Sequence, residues 1–396
     1  MKRLCALLVS LMLLFSLAAT AQAQAAPVNV TLVLAGGLGD KSLCDSAYEG
    51  LQMLVNEFQV NAKVIECKQD ASQFAPQLAA AAQESNYVVA VGKEFLDSIR
   101  DAATATPNVK FIYADQALEG IPNLLSINYA TNEGSFLAGY MAAKLSKSHK
   151  VGAVGDMNDP ATNDFLAGYR QGARYAVSSI SVESAYTGDY ENSETGKECA
   201  LTLIGRGCDV IFAVTGKSGD GVIEAAAKKG KYVIAVDADQ KYMNPDVVIA
   251  SMKKNVGQSI YTAIKNDVAS GVWSGGSVWL ADMAGGFVDI GYGAPEMTQQ
   301  ISDDLKAQVE NIKQTIIKKQ IVVDTSLVKG GKHKAPEGAK GRGNAQGQKN
   351  SNGKGKGLSR WDSDGNGNWK SQKDSNGKGT MQRLSSSNGK GTIERD

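Results

Sequence analysis

The chain has 396 residues, with 43 Gly, 8 Pro, 5 Cys and only 2 His, and its 42 Lys/Arg and 41 Asp/Glu nearly cancel. That length fits two domains or one large one, and it buries a core without disulfide staples. The charge balance argues against a general nucleic-acid binder. Two histidines leave almost no material for a His-rich metal centre or a Ser-His or Cys-His catalytic pair.

The average conceals an asymmetry. From Gly330 onward stand 14 Lys/Arg against 6 Asp/Glu, a tail of +8; setting aside Lys2 and Arg3, the body carries about −9. Residues 1–25 read as a secretory signal peptide: MKR, an apolar stretch, then AQAQA with cleavage after Ala23 or Ala25. No later segment approaches the length of a membrane span. Cys5 precedes the apolar stretch and is therefore no lipid-acylation cysteine. The expected location is periplasmic or secreted.

Strands and helices then alternate. VNVTLVLAG (28–36) is an apolar run ending in glycines, a buried strand, and 45–58 has helical spacing. Strand 61–69, helix 71–85, strand 87–92, helix 94–105 and strands 108–115 and 123–130 follow. A small-residue helix over 134–148 opens a second series. It continues with strand 150–157, helix 164–177, strand 180–189, helix 195–207, strand 208–216, helix 221–230, strand 231–239, strand 247–254 and helix 258–273. This is the pattern of two similar α/β lobes with parallel sheets over about 28–328. In open parallel sheets ligands bind beyond the carboxyl ends of the strands. Those loops are 35–45, 113–116, 155–164, 214–221 and 236–240, and they are rich in Asp, Asn, Ser, Thr and Gly. Carboxylates and open glycines there suit a hydroxyl-rich, donor-rich ligand such as a sugar or nucleoside, although a single loop Asp more often caps a helix.

Nucleotide and catalytic motifs fail. Gly216-Lys217-Ser218 would complete a phosphate loop only with glycine at 211, where Ile211 stands, and Gly37-Leu38-Gly39 lacks the last glycine of G-x-G-x-x-G because Ser42 occupies it. No nucleophile elbow or zinc helix occurs, so no enzyme, cofactor or metal site is expected. Four cysteines follow the leader. An exported protein permits two disulfides; pairing by neighbourhood gives Cys44–Cys67 and Cys199–Cys208, with four buried thiols as the alternative.

Four ordered stretches carry a family resemblance: DKSLCDSAYEGL (40–51), NEGSFLAGYMAA (132–143), the run 209–240 ending VDADQ, and SMKKNV (251–256). Together they resemble the basic membrane protein family, substrate-binding proteins of ABC transporters whose characterised members bind purine nucleosides. The resemblance runs from about Val28 to Leu327. It implies a class I periplasmic-binding-protein fold, two doubly wound lobes joined by a hinge. One lobe would be 26–127 with 253–285 and the other 128–252 with 286–328, with crossings near 127–130, 250–254 and 284–287. The implied partner is an ABC permease. By the same resemblance Asp40 and Asp115 contact the base, Gly216 and the loop to Gly219 line the second lobe, and Asp237 and Lys254 hold the ribose hydroxyls, with Asp239 ranked below. Leu43 stands where the family has a stacking Phe and Cys44 where it has Asn; Tyr190 is the aromatic candidate to compensate. Leu43, Cys44 and the positive Lys217 admit a changed ligand, a free base or an anion. A ligand sensor signalling to a membrane receptor is the alternative function. A sugar-responsive repressor of this fold would need an N-terminal helix-turn-helix where the leader stands.

The remaining 329–396 are Gly/Lys/Ser/Asn-rich with a 12-residue repeat and too few apolar residues to bury a core, hence an expected disordered tail. Asp362, Asp364, Asn366 and Gly367 imitate the start of a calcium loop, but Lys373 stands where the bidentate Glu belongs.

Overall fold

A computed structural model of the chain describes residues 27–58 and 60–326. The leader, the repeat tail and the calcium-loop imitation lie outside the described residues. The first sheet begins with β1 (Val28–Leu34), α1 (Leu43–Glu57), β2 (Val60–Glu66), α2 (Ala71–Glu84), β3 (Tyr87–Val91), α3 (Leu96–Ala105), β4 (Lys110–Ala114) and β5 (Leu124–Tyr129). Helix α4 (Thr131–Leu145) carries the chain to β6 (Lys150–Gly155), α5 (Pro160–Ala176), β7 (Ser181–Tyr186), α6 (Ser193–Gly205), β8 (Val210–Val214), α7 (Gly219–Lys229), β9 (Tyr232–Asp237) and β10 (Val248–Lys254). Then α8 (Val256–Ser270) leads back to β11 (Val278–Ala281), and β12 (Val288–Gly291) and α9 (Asp303–Ile317) close the described chain.

Two six-stranded sheets result, ordered β11-β5-β4-β3-β1-β2 and β12-β10-β9-β8-β6-β7. The first five strands of each half thus share one order. Pairing is parallel throughout except for β12, which runs antiparallel to β10. In each sheet the order reverses where the first strand of the half sits between the second and third, and such a reversal opens a crevice for a ligand. The apolar runs explain the burial: β3 and β8 are buried at every position, as parallel strands covered on both faces require.

The outer face of each sheet has its own core, Val33, Phe74, Phe95 and Phe111 in the first and Ile211, Val222 and Val233 in the second. The inner faces and helices α4, α5 and α8 share one continuous core. The small residues of α4 have a packing reason. A Cβ on Gly139 of α4 would stand 1.9 Å from the Tyr169 carbonyl oxygen of α5, and one on Gly172 of α5 1.8 Å from that of Phe136, so only glycine admits this helix contact. Among the described residues no helix is long and apolar enough to cross a membrane.

The disulfide pairing is overturned. All four cysteines are free thiols. Cys44 packs in the inner core with Leu32 and Leu34, whereas Cys67 packs with Val33 and Ala35 on the opposite face of the first sheet. The Cys199 thiol donates to the Tyr186 carbonyl at 3.4 Å, and Cys208 is fully buried two residues before β8. Burial pushes the Cys208 thiol up to about 11, so it is unreactive at neutral pH. Mass spectrometry of denatured, unreduced protein alkylated with iodoacetamide should find all four positions modified; a Cys44–Cys67 or Cys199–Cys208 cross-link overturns this arrangement.

Candidate functional site in the interlobe cleft

The carboxyl ends of both sheets face one cavity of about 130 Å³. Its lining brings together Asp40, Leu43, Cys44, Asp115, Tyr190, Gly216, Asp237 and Lys254, eight of the nine positions singled out from the sequence. Gly219 is not among them. It is the buried first residue of α7, its N–H donates to the Gly216 carbonyl at 2.9 Å, and a Cβ there would meet the Thr215 hydroxyl. Gly216 does line the cavity.

One end of the cavity is built on Lys254, the last residue of β10, whose side chain is only 3% exposed. Its Nζ donates to Asp115 Oδ1 at 2.8 Å and stands 3.3 Å from Asp237 Oδ1. It lies 5.6 Å from the ring centres of both Tyr129 and Phe165. Burial opposes its charge, yet the Asp115 and Asp237 carboxylates outweigh burial and hold the ammonium above the ordinary lysine range. The two acids occupy equivalent places in the two halves, just after β4 and at the end of β9. Both have backbone in the left-handed region, with φ of 89° for Asp115 and 65° for Asp237. Such strain costs on the order of 1–3 kcal/mol per residue and clusters at functional sites. Asp237 Oδ2 accepts a hydrogen bond from Ser42 Oγ of the other lobe at 2.6 Å. Its Oδ1 is buried and has no hydrogen-bond donor among the described residues.

Asp40 lines the cavity in a different role. Its Oδ1 accepts from the N–H groups of Ser42 and Asp45, and its Oδ2 from that of Cys44. It caps the start of α1, which is the commoner fate of a loop Asp. Burial raises its pKa against those three bonds, which lower it. Asp239 lies beyond the end of β9 and is not in the cavity lining; it accepts from the Gly293 N–H at 2.8 Å.

Part of the cavity lining was not read from the sequence. Lys93, Glu94, Asp156 and Phe165 line it together with Tyr190. Burial raises the pKa of Glu94, and it raises that of Asp156 despite the lysine beside it. Tyr129 and Phe165 look like core residues in sequence because they close a strand and sit on a helix, and they are indeed mostly buried. Lys217 lines the cavity rim, about half exposed, 3.8 Å from Glu191. Among the described residues no cluster of His, Cys, Asp or Glu has the arrangement of a metal site. The site offers buried acceptors, one buried ammonium and apolar faces. That is the chemistry of a binding site.

Comparison with known proteins gives the same direction. Residues 27–326 match the profile of the Bmp family, described as ABC transporter substrate-binding protein, PnrA-like. Basic membrane protein A of Borreliella burgdorferi is 30% identical over 304 residues, 75% of this chain and 88% of the relative. Basic membrane protein D of the same species is 34% identical over 254 residues, 63% of this chain and 74% of the relative. Among solved structures, an ABC transporter solute-binding protein from Aeropyrum pernix K1 superposes with a TM-score of 0.68 at 25% identity, covering 76% of this chain and 95% of that one.

Proposed function

The chain belongs to the Bmp family of ABC transporter substrate-binding proteins, and from that premise we propose that it captures a nucleoside in the interlobe cavity outside the cytoplasm and delivers it to a membrane permease. The family is one of binding proteins, not enzymes. The observation that carries the nucleoside reading is the set formed by Asp237, Lys254 and Asp115. An acceptor, a donor and a second acceptor in one buried row match the vicinal hydroxyls and ring oxygen of a ribose. Leu43, Tyr190 and Phe165 supply the apolar walls that a planar base needs. Hinge closure would carry these walls together, with the chain crossing between lobes near 127–130, 250–254 and 284–287.

An anionic ligand is disfavoured. The cavity lining holds Asp40, Glu94, Asp115, Asp156 and Asp237, and its two deeper lysines, Lys93 and Lys254, already have carboxylate partners. A phosphate would meet uncompensated carboxylates at short range. Thermal-shift measurement against nucleosides, nucleoside monophosphates, free bases, sugars and amino acids tests both statements. A ligand at about 100 times its Kd stabilises by about 2.7 kcal/mol. Purine nucleosides should raise Tm and their monophosphates should not. A shift with sugars or amino acids alone overturns the nucleoside reading and leaves the family assignment standing.

A further inference from the structure

The interlobe charge contacts differ in kind. Lys254 ends β10, which lies in the second sheet beside β9 and Asp237, so the first lobe's edge is moved past the expected 253 and Lys254 retains that carboxylate when the lobes part. The Lys41–Asp220 pair spans the lobes at 3.1 Å but is more than one-third exposed on both sides, and such pairs are screened and weak. Lys93 is different. It follows β3 on the first lobe, where its carbonyl accepts from the buried Tyr113 hydroxyl at 2.7 Å. Its Nζ reaches Asp159 Oδ2 at 2.7 Å, Asp156 Oδ1 at 3.7 Å and Thr162 Oγ1 at 3.5 Å, and lies 5.4 Å from the Tyr190 ring centre. Every one of these partners belongs to the second lobe. The receptacle is held by contacts within the second lobe. Asp159 caps α5, accepting from the Thr162 N–H at 2.9 Å, and the Thr162 hydroxyl donates to Asp156. The Lys93 and Asp156 side chains are each 17% exposed, so the contact is largely out of water.

We propose that Lys93 is the latch of the cleft, a positioning residue whose ammonium seats between Asp159 and Asp156 only when the lobes are shut, and which thereby sets how long they stay shut. Lys93, Asp156 and Tyr190 also line the cavity, so the latch is one wall of the binding site and a bound molecule leaves only after it breaks. The inference rests on the two-lobe fold and holds whichever ligand the cavity takes.

The native cysteines provide the test without a ligand. Cys44 is 5% exposed and lines the cavity, so it meets solvent when the lobes part; Cys67 and Cys208 lie on the outer faces of the two sheets and do not. The full chain is treated with N-ethylmaleimide and labelling at each cysteine is followed by mass spectrometry. Lys93→Met, which keeps the stem and removes the charge, should label Cys44 roughly tenfold faster with Cys67 and Cys208 unchanged. Asp159→Asn, which preserves the cap to Thr162, should do the same, and the double variant should be no faster than either single one. Wild-type labelling rates in both single variants, additive effects in the double variant, or a common rise at all three cysteines would overturn the latch.

Discussion

Lys254→Met is expected to weaken binding of the best ligand by about 2–5 kcal/mol, at least some thirtyfold in Kd, and to lower Tm. The ammonium it removes is buried and stands between two carboxylates at 2.8 and 3.3 Å. Without it, Asp115 and Asp237 face each other across the cleft with no counter-charge, and breaking a buried charge set by deleting one partner costs far more than the set contributes net. The affected acids come from opposite lobes, so their repulsion acts directly against closure. Lys254→Arg should not restore binding, because a guanidinium is broader and must fit between the rings of Tyr129 and Phe165. The pH dependence has a definite sign. A lysine held above its ordinary value of 10.5 contributes fully below that pH and loses its contribution only as pH rises beyond it. The lysine's own titration therefore removes nothing from this contribution around neutral pH. Isothermal titration calorimetry of the variant decides the matter; a Kd within about threefold of wild type removes Lys254 from the binding set.

The order of the first ten strands and the intervening helices was legible because parallel strands covered on both faces read as unbroken apolar runs. Strands β11 and β12 were not, since four residues each, partly exposed, carry no periodic signal. Helix α9 was readable in principle: Ser302 caps it, Asp303 and Asp304 fill its first turn, and Leu305, Val309 and Ile316 lie on its buried side. The cysteine pairing failed for a geometric reason. Cys44 and Cys67 fell on opposite faces of the first sheet, whereas Cys199 and Cys208 pack on the same outer core of the second and are nonetheless free thiols. Within the site, the strand-end loops marked where carboxylates gather, and the family resemblance singled out Asp115, Asp237 and Lys254 among the residues there. Lys93 and Phe165 were not singled out, because nothing local distinguishes a lysine that crosses to the other lobe from a solvated one, or a cavity-facing phenylalanine from a core one. Asp40 shows how a strand-end carboxylate can line the cavity while its oxygens serve its own helix.

Asp237→Ala should cost about 2–4 kcal/mol of affinity, between thirtyfold and a thousandfold in Kd. Three losses combine. The interlobe bond from Ser42 disappears, Lys254 keeps only Asp115, and the buried Oδ1 acceptor is gone. The backbone at φ 65° adds a separate effect on stability, because alanine tolerates the left-handed region less well than aspartate or glycine does. Two companion variants separate these contributions. Asp237→Gly removes the carboxylate and relieves the backbone, so it should bind as poorly as Asp237→Ala while melting at a higher temperature. Asp237→Asn keeps the shape, an oxygen for Ser42 and a residue at ease in this conformation, and loses only charge, so its Kd should fall between those of wild type and Asp237→Ala. Coupling to Ser42 follows from a double-mutant cycle with Ser42→Ala, where a bond across the lobes predicts an interaction energy of about 0.5–3 kcal/mol. Glycine restoring both stability and affinity would mean that position 237 serves the backbone alone, and the hydroxyl-binding role would then have to pass to Asp115.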